Sequence, residues 1–275
     1  MKRLAVILTV HNRRETTLRC LQELSACPLP QGWEKAVYLT DDGSTDGTAA
    51  AVRAQFPAVH IIPGDGNLFW CRGMLAAWEA AAADGAYEAC LWLNDDTWIA
   101  SDTLLKLHEA AQCHPGDILV GPVCSAVSGK MTYGGRDRRE RHPEPAGEET
   151  PVRSFDGNVV WVPASVEDRI GRLDGRFSHA MGDMEYGYRA SNAGIGIRQL
   201  GAFVGTCEQH GRRPAWCDPA VPLKKRWRAL HSPLGLPPGQ FFYAVRQGRG
   251  LLYATHCWIA IHFRTLFPSL WGNNR

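Results

Sequence analysis

Ala36-Val37-Tyr38-Leu39-Thr40-Asp41-Asp42-Gly43-Ser44-Thr45-Asp46 is the stretch that decides the fold: a short apolar run stops in three carboxylates around a glycine. A run of this length closed by a turn reads as a buried strand, Ala36 to Thr40. Thr45 to Gln55 follows as a helix that closes before Pro57. The same unit repeats on either side. Upstream, Leu4 to Val10 is an apolar strand, and Asn12, with Glu15 three residues on, reads as a capping box for a helix carrying Leu18, Leu21 and Leu24. Downstream come a strand at Val59 to Ile62, a turn at Gly64-Asp65-Gly66-Asn67 and a helix from Trp70 to Ala83. A strand at Ala89 to Leu93 and a Ser101-capped helix ending at Cys113 complete the series. Such alternation predicts a Rossmann-like, mostly parallel α/β sheet flanked by helices. Ligands of open α/β sheets bind at the carboxyl ends of the strands, so chemistry is expected in these polar turns.

The alternation stops after Ile118. Arg136 to Pro151 is charged and rich in Pro and Gly, and reads as a mobile loop. Val152 to Val162 reads as two short strands around Asp156-Gly157-Asn158, Asp183 to Ala193 as a helix, and Ala202 to Val204 as a strand. With 275 residues, 45% of them hydrophobic, the chain is expected to form one core with an extension. Nine cysteines form no C-x-x-C pair, and the apolar run after Met1 is too short for a signal peptide; a reduced, cytoplasmic setting is expected. Charge is uneven: residues 211 to 275 hold ten Lys or Arg and one acid, a net +9, against −7 for residues 1 to 210. Such asymmetry predicts an anionic partner for the extension.

Four clusters carry chemistry. An acid in the Asp41-Asp42 turn can cap a helix or accept hydrogen bonds from a base or ribose. Leu91-Trp92-Leu93-Asn94-Asp95-Asp96 drives an apolar strand into two carboxylates, a costly arrangement that a divalent cation relieves; oxygen ligands suit Mg²⁺ or Mn²⁺. In Gly182-Asp183-Met184-Glu185 with Arg189, the last two residues are spaced as a helix ion pair. Asp183 lacks such a partner and is placed to act as a general base. His210, in Cys207-Glu208-Gln209-His210, gains weight only from these companions.

Taken together in this order, Thr9-x-x-Asn12-Arg13, Asp41-Asp42-Gly43-Ser44, Gly64-Asp65-Gly66-Asn67, Asn94-Asp95-Asp96 and Gly182-Asp183 resemble the family 2 glycosyltransferases, across roughly Leu4 to His210. Within that family the Gly64 to Met74 segment and Phe241-Phe242-Tyr243-x-x-Arg246 look most like rhamnosyltransferase-type members. The resemblance implies a GT-A fold, inversion at the anomeric carbon, a nucleoside-diphosphate sugar donor, a glycan or lipid-linked acceptor, and bacterial cell-surface polysaccharide synthesis. It implies a catalytic domain at residues 1 to 211, with a nucleotide-binding half to about 121 and an acceptor-binding half from 122, followed by an extension at 212 to 275. Thr9, Asn12, Arg13, Asp41, Asp42, Asn67, Asn94 and Asp95 are implied at the donor nucleotide, Asp96 and His210 at Mg²⁺ or Mn²⁺, and Asp183 as the base. Trp161, Glu185 and Arg189 are implied at the acceptor. The pattern departs from the family in having Asn94 at the first D-x-D position and Gly182 in place of the usual acid before Asp183. The second departure is expected to leave the pKa of Asp183 less raised.

The extension holds fourteen residues without a full charge from Gly250 to Phe263, short of the ~20 needed to span a bilayer. Phe242, Val245, Leu251, Leu252, Trp258, Ile259, Ile261, Phe263, Leu266 and Trp271 alternate with Arg246, Arg249 and Arg264. They predict either a basic amphipathic helix on an anionic membrane face or aromatics packed on protein, including a second subunit. Two further readings stay open. A nucleotidyltransferase is expected to carry a glycine-rich loop after the first strand, and Thr9 to Arg13 has no glycine. An inactive binding module would bind nucleotide without turnover. Nucleic acid is not an expected partner, because the basic tail carries no recognition motif.

Overall fold

The computed structural model describes residues 1–209, 211 and 213–270. The chain begins β1 (Lys2–Val10), α1 (Arg14–Ala26), β2 (Trp33–Asp41), α2 (Thr48–Gln55), β3 (His60–Pro63), α3 (Phe69–Ala83) and β4 (Ala89–Leu93). It continues β5 (Trp98–Ile99), α4 (Thr103–Cys113), β6 (Ile118–Val120), β7 (Val123–Cys124), β8 (Met131–Tyr133), β9 (Gly135–Arg136), β10 (Thr150–Pro151), β11 (Ser154–Phe155) and β12 (Val159–Pro163). It ends α5 (Ala164–Ile170), α6 (Gly182–Asn192), β13 (Ile197–Gln199), β14 (Gly205–Thr206), α7 (Leu223–Leu230), α8 (Pro238–Arg249) and α9 (Leu251–Leu266). The main sheet has eight strands in the order β10-β13-β6-β12-β4-β1-β2-β3, with β12 and β10 antiparallel to their neighbours.

Side chains alternate across β1, so one strand feeds two cores. Leu4, Val6, Leu8 and Val10 pack with Leu21 and Leu24 of α1 and Leu107 of α4. Ala5 and Ile7 pack with Met74, Ala77 and Trp78 of α3 and Tyr186 of α6. Coverage on both faces explains why the strands read as continuous apolar runs.

Several local expectations are corrected. Asn12 does not cap α1: it has φ 51, and Arg13 occupies the capping position with no side-chain bond. Asp46, from the loop after β2, accepts the Arg14 N–H at 3.0 Å instead. Asp46 also accepts from Thr48 N–H at 3.0 Å, which starts α2 three residues later than read. Ser101 lies outside α4, and the last short strand forms at Gly205–Thr206 rather than 202 to 204. The loop at 136 to 151 is tied down despite its polar sequence: the Tyr188 hydroxyl donates to Glu140 at 2.8 Å and the Gln199 amide to the Pro143 carbonyl at 2.6 Å. The extension splits in two. Ala244 of α8 packs into the core beneath α6 and Tyr243 meets Phe177, whereas much of α9 faces outward.

Gly43 has φ +70, and an added Cβ would stand 3.0 Å from the Gly66 amide nitrogen, so the turns after β2 and β3 touch backbone to backbone. Gly43→Ala should lower Tm by roughly 3–8 °C in circular-dichroism melts, from ~1–2 kcal/mol of left-handed strain and the added contact.

Candidate active site

Three turns meet at the carboxyl edge of β1, β2 and β4. The Nδ1 of His11 lies 2.6 Å from the Asp42 carbonyl, which can only accept, so Nδ1 carries the proton. The Asn12 backbone N–H donates to the Ser44 hydroxyl at 2.9 Å, and its side-chain oxygen accepts from Thr45 N–H at 2.7 Å. These bonds clip the first loop to the second. The third loop joins through Asp42, whose Oδ1 accepts from Gly66 and Leu68 and whose Oδ2 accepts from Phe69 N–H at 2.8 Å. Asp42 is thus drawn into the turn and organises it, instead of presenting an open carboxylate to a base or ribose. Asp41 accepts from Ser44 N–H at 3.0 Å, and Asn67 stays exposed at the tip of the third loop. Thr9 faces away from the edge, its hydroxyl against Gly73 of α3.

The guanidinium of Arg13 spans the end of β4, donating to Asp95 and to Asp96 at 2.9 Å each. Thr17, one helical turn on, donates to the other Asp95 oxygen at 3.2 Å. Only 3% of Asp95 is exposed, and burial pushes its carboxyl up to about 6 against the pull of Arg13. The Cys207 thiol lies 3.8 Å from Asp96 Oδ1; burial, and then Asp96, push it up to about 12, so it is a neutral neighbour.

Asn94 leads to the second part of the site. Its side-chain oxygen accepts the Trp70 indole N–H at 2.7 Å. The Trp70 ring lies against Gly157, where an added Cβ would stand 2.5 Å from it and 3.5 Å from the Asp183 Cβ. Asp183, at the start of α6, accepts from Gly157 N–H at 3.0 Å and Met184 N–H at 2.8 Å. Asp183 is half-buried as a residue, and burial, followed by the charge of Asp156, pushes its carboxyl up to about 6. Asp156 is itself held by Arg136 at 2.7 Å. A neighbouring carboxylate is therefore present after all, supplied by the turn between β11 and β12 rather than by residue 182. Asn12, Phe69 and Met181, three of four non-glycine residues with positive φ among those described, sit in the loops and at the helix starts around this edge, where backbone strain is characteristic of ligand sites.

Other implied residues fall elsewhere. Trp161 is 2% exposed, in the core against Trp33, so a direct acceptor contact is corrected to a packing role. Glu185 and Arg189 form the expected helix pair at 3.1 Å, and Arg189 also donates to the Ile170 and Arg172 carbonyls, pinning α6 to the loop after α5. Both line a cavity with Asp174 and Tyr243. His210 lies outside the described residues. The sequence reading missed Trp70, Asp156, Arg136 and Thr17. Thr17, four residues after Arg13, was findable from helical spacing; the others come from distant segments.

Among the described residues, no three His, Cys, Asp or Glu side chains converge as a metal cage. Mg²⁺ needs only one or two carboxylates when phosphate and water complete its shell, and Asp96, on the rim beside Arg13, fits that smaller demand.

Residues 5–163 match the glycosyl transferase family 2. The chain belongs to that family. This family 2 member is a glycosyltransferase, which sets aside the nucleotidyltransferase reading. It is 24% identical over 230 residues to the N-acetylglucosaminyl-diphospho-decaprenol L-rhamnosyltransferase of Mycobacterium tuberculosis, spanning 71% of this chain and 73% of that protein. Its fold matches S. aureus TarS 1-349 in complex with UDP-GlcNAc, with a TM-score of 0.62 at 15% identity over 98% of this chain and 81% of that one. It also matches the mannosyltransferase PcManGT from Pyrobaculum calidifontis in complex with GDP-Man and Mn²⁺, with a TM-score of 0.51 at 15% identity, covering 97% and 86%. The fold is therefore GT-A.

Asp95 and Asp183 hold their protons more tightly in the fold than in the unfolded chain. Each contributes stability fully present below the ordinary carboxylate pKa of about 4 and lost as pH rises through about 6. Asp183→Asn should therefore raise Tm above wild type at pH 7.5, with the gap closing toward pH 4. Arg13→Gln should destabilise by on the order of 1–3 kcal/mol at neutral pH in urea melts, and Asp95→Asn in the same chain should restore most of it.

Proposed function

We propose that this chain is an inverting transferase that moves a sugar from a nucleoside-diphosphate donor to a hydroxyl of a glycan or lipid-linked acceptor. The observation that carries this reading is Asp183: a half-buried residue whose carboxyl is pushed up to about 6 and is joined through Trp70 to the Asn94-Asp95-Asp96 edge. A pKa near 6 leaves the group ionised at neutral pH yet basic enough to accept a proton in the transition state. The Gly157 and Met184 amides fix its orientation.

In the step proposed, Asp183 takes the acceptor hydroxyl proton while that oxygen attacks the anomeric carbon. The bond from that carbon to the diphosphate oxygen breaks as the new bond forms, and the diphosphate leaves with the electron pair. Asn12, Arg13, Asp41, Asn67, Asn94 and Asp95 line the donor side, with Asp42 acting through the turn it builds. Arg13 brings a positive charge to the edge where negative charge develops. Mg²⁺ or Mn²⁺, held by Asp96 and with His210 as a further ligand, would supply charge neutralisation for the diphosphate when bound. Glu185 and Arg189, in the cavity with Tyr243, are proposed on the acceptor side. The mycobacterial relative's name supports rhamnosyl transfer to a lipid-linked acceptor; a thymidine-diphosphate donor at the cytoplasmic face of a membrane is part of the same proposal.

A thermal-shift screen against thymidine, uridine and guanosine diphosphates, with Mn²⁺ or with EDTA, should show one nucleotide stabilising the chain by ~2.7 kcal/mol at 100 times its dissociation constant. Asp96→Ala should remove the metal-dependent part of that shift. Asp183→Asn should keep the shift but lose ~10²–10⁴-fold in turnover, and wild-type rate should rise with pH through about 6 and then level. Full turnover in Asp183→Asn would overturn the assignment; a shift without turnover in wild type would mark an inactive binding module.

A further inference from the structure

We propose that the outer face of α9, with the adjoining face of α7, docks on an anionic phospholipid bilayer. The inference rests on the extension and does not depend on the catalytic assignment. On its inner side α9 buries Ala254, Ile261 and Thr265. On the opposite side Leu252, Ile259, Phe263 and Leu266 follow at spacings of seven, four and three, which places them in one stripe. All four are exposed, Leu252 by 88% and Ile259 by 57%. A helix facing water on that side has no reason to be apolar there.

Ring contacts join this stripe to α7. Trp227 lies 5.6 Å from His262, and His262 lies 4.0 Å from Trp258 on α9, so two indoles border one continuous surface. The two helices are locked in this arrangement by Arg226, which is buried and donates to the Thr265 carbonyl at 2.8 Å and the Leu266 carbonyl at 3.3 Å. On the solvent side of α7, Lys224, Lys225 and Arg228 are exposed.

Charge selects the occupant. No Asp or Glu occurs between residues 219 and 275, so this surface offers cations with no carboxylate of its own segment beside them. A second copy docked on the same stripe would bring two basic faces together. An anionic bilayer matches on every count: acyl chains for the stripe, the interface for the indoles, lipid phosphates for the cations. The expected pose is shallow, with α9 parallel to the surface.

Flotation of the full chain with vesicles of phosphatidylcholine alone, and of an equal mixture with phosphatidylglycerol, tests this. Binding to the mixture but not to phosphatidylcholine is expected. Lys224→Ala with Arg228→Ala should weaken it about fivefold per cation removed. Ile259→Ser with Phe263→Ser should abolish it, while both double variants keep the wild-type Tm and nucleotide-induced shift. No binding to the mixture, or undiminished binding by folded variants, would overturn the proposal. Equal binding to both vesicles would overturn its anionic selectivity. A dimer in sedimentation that the serine variant loses, with no vesicle binding, would assign the face to a second copy instead.

Discussion

The edge of the sheet depends on one guanidinium. A strand as apolar as Ala89–Leu93 ends in a carboxylate that is almost wholly buried, an arrangement unfavourable by several kcal/mol for an uncompensated ion. Arg13 and Thr17 compensate it, and because both come from the start of α1, the same contacts fix that helix against β4. Asp96 shares the guanidinium and so inherits its position. The pKa of Asp95 still rises, which shows that burial outweighs the ion pair there.

Around that pair the structure separates acids by their surroundings. Asp42 is surrounded by backbone amides and works as a strut for the third loop. Asp183 has two amide partners as well, but its crowding and the nearby Asp156 outweigh them and leave it a stronger base than an ordinary aspartate. One carboxylate shapes the turn, and the other is the base of the proposed transfer. Trp70 links the end of β4 to the turn beside Asp183, its indole N–H on Asn94 and its ring on Gly157.

The extension shows a similar division. Its middle helix, α8, is continuous with the catalytic core through Ala244, and Gly248 admits the Tyr188 ring where any Cβ would stand about 2.5 Å from it. Its last helix is apolar on both sides but buries only one. Val245 and Ile261, two of the set read from sequence as either lipid-facing or packed on protein, point inward; Leu252, Ile259 and Phe263 point out. Trp271 lies outside the described residues.

What the chain determined by itself was periodic and local. Apolar runs ending in polar turns marked β1, β2 and β4 closely, and the charge imbalance marked the extension, because burial pattern and composition are written residue by residue. The tertiary structure alone decided which groups meet. Arg13 and Asp95 are 82 residues apart, Asp42 and Phe69 are 27 apart, and Gly157 and Asp183 are 26 apart. No local pattern encodes those partners. Trp161 looked like an acceptor platform until packing put it under Trp33, and Asp156 looked like a turn residue until packing put it near Asp183. A carboxylate's role follows from which amides, charges and solvent reach it, and those are set by how the loops close over one another.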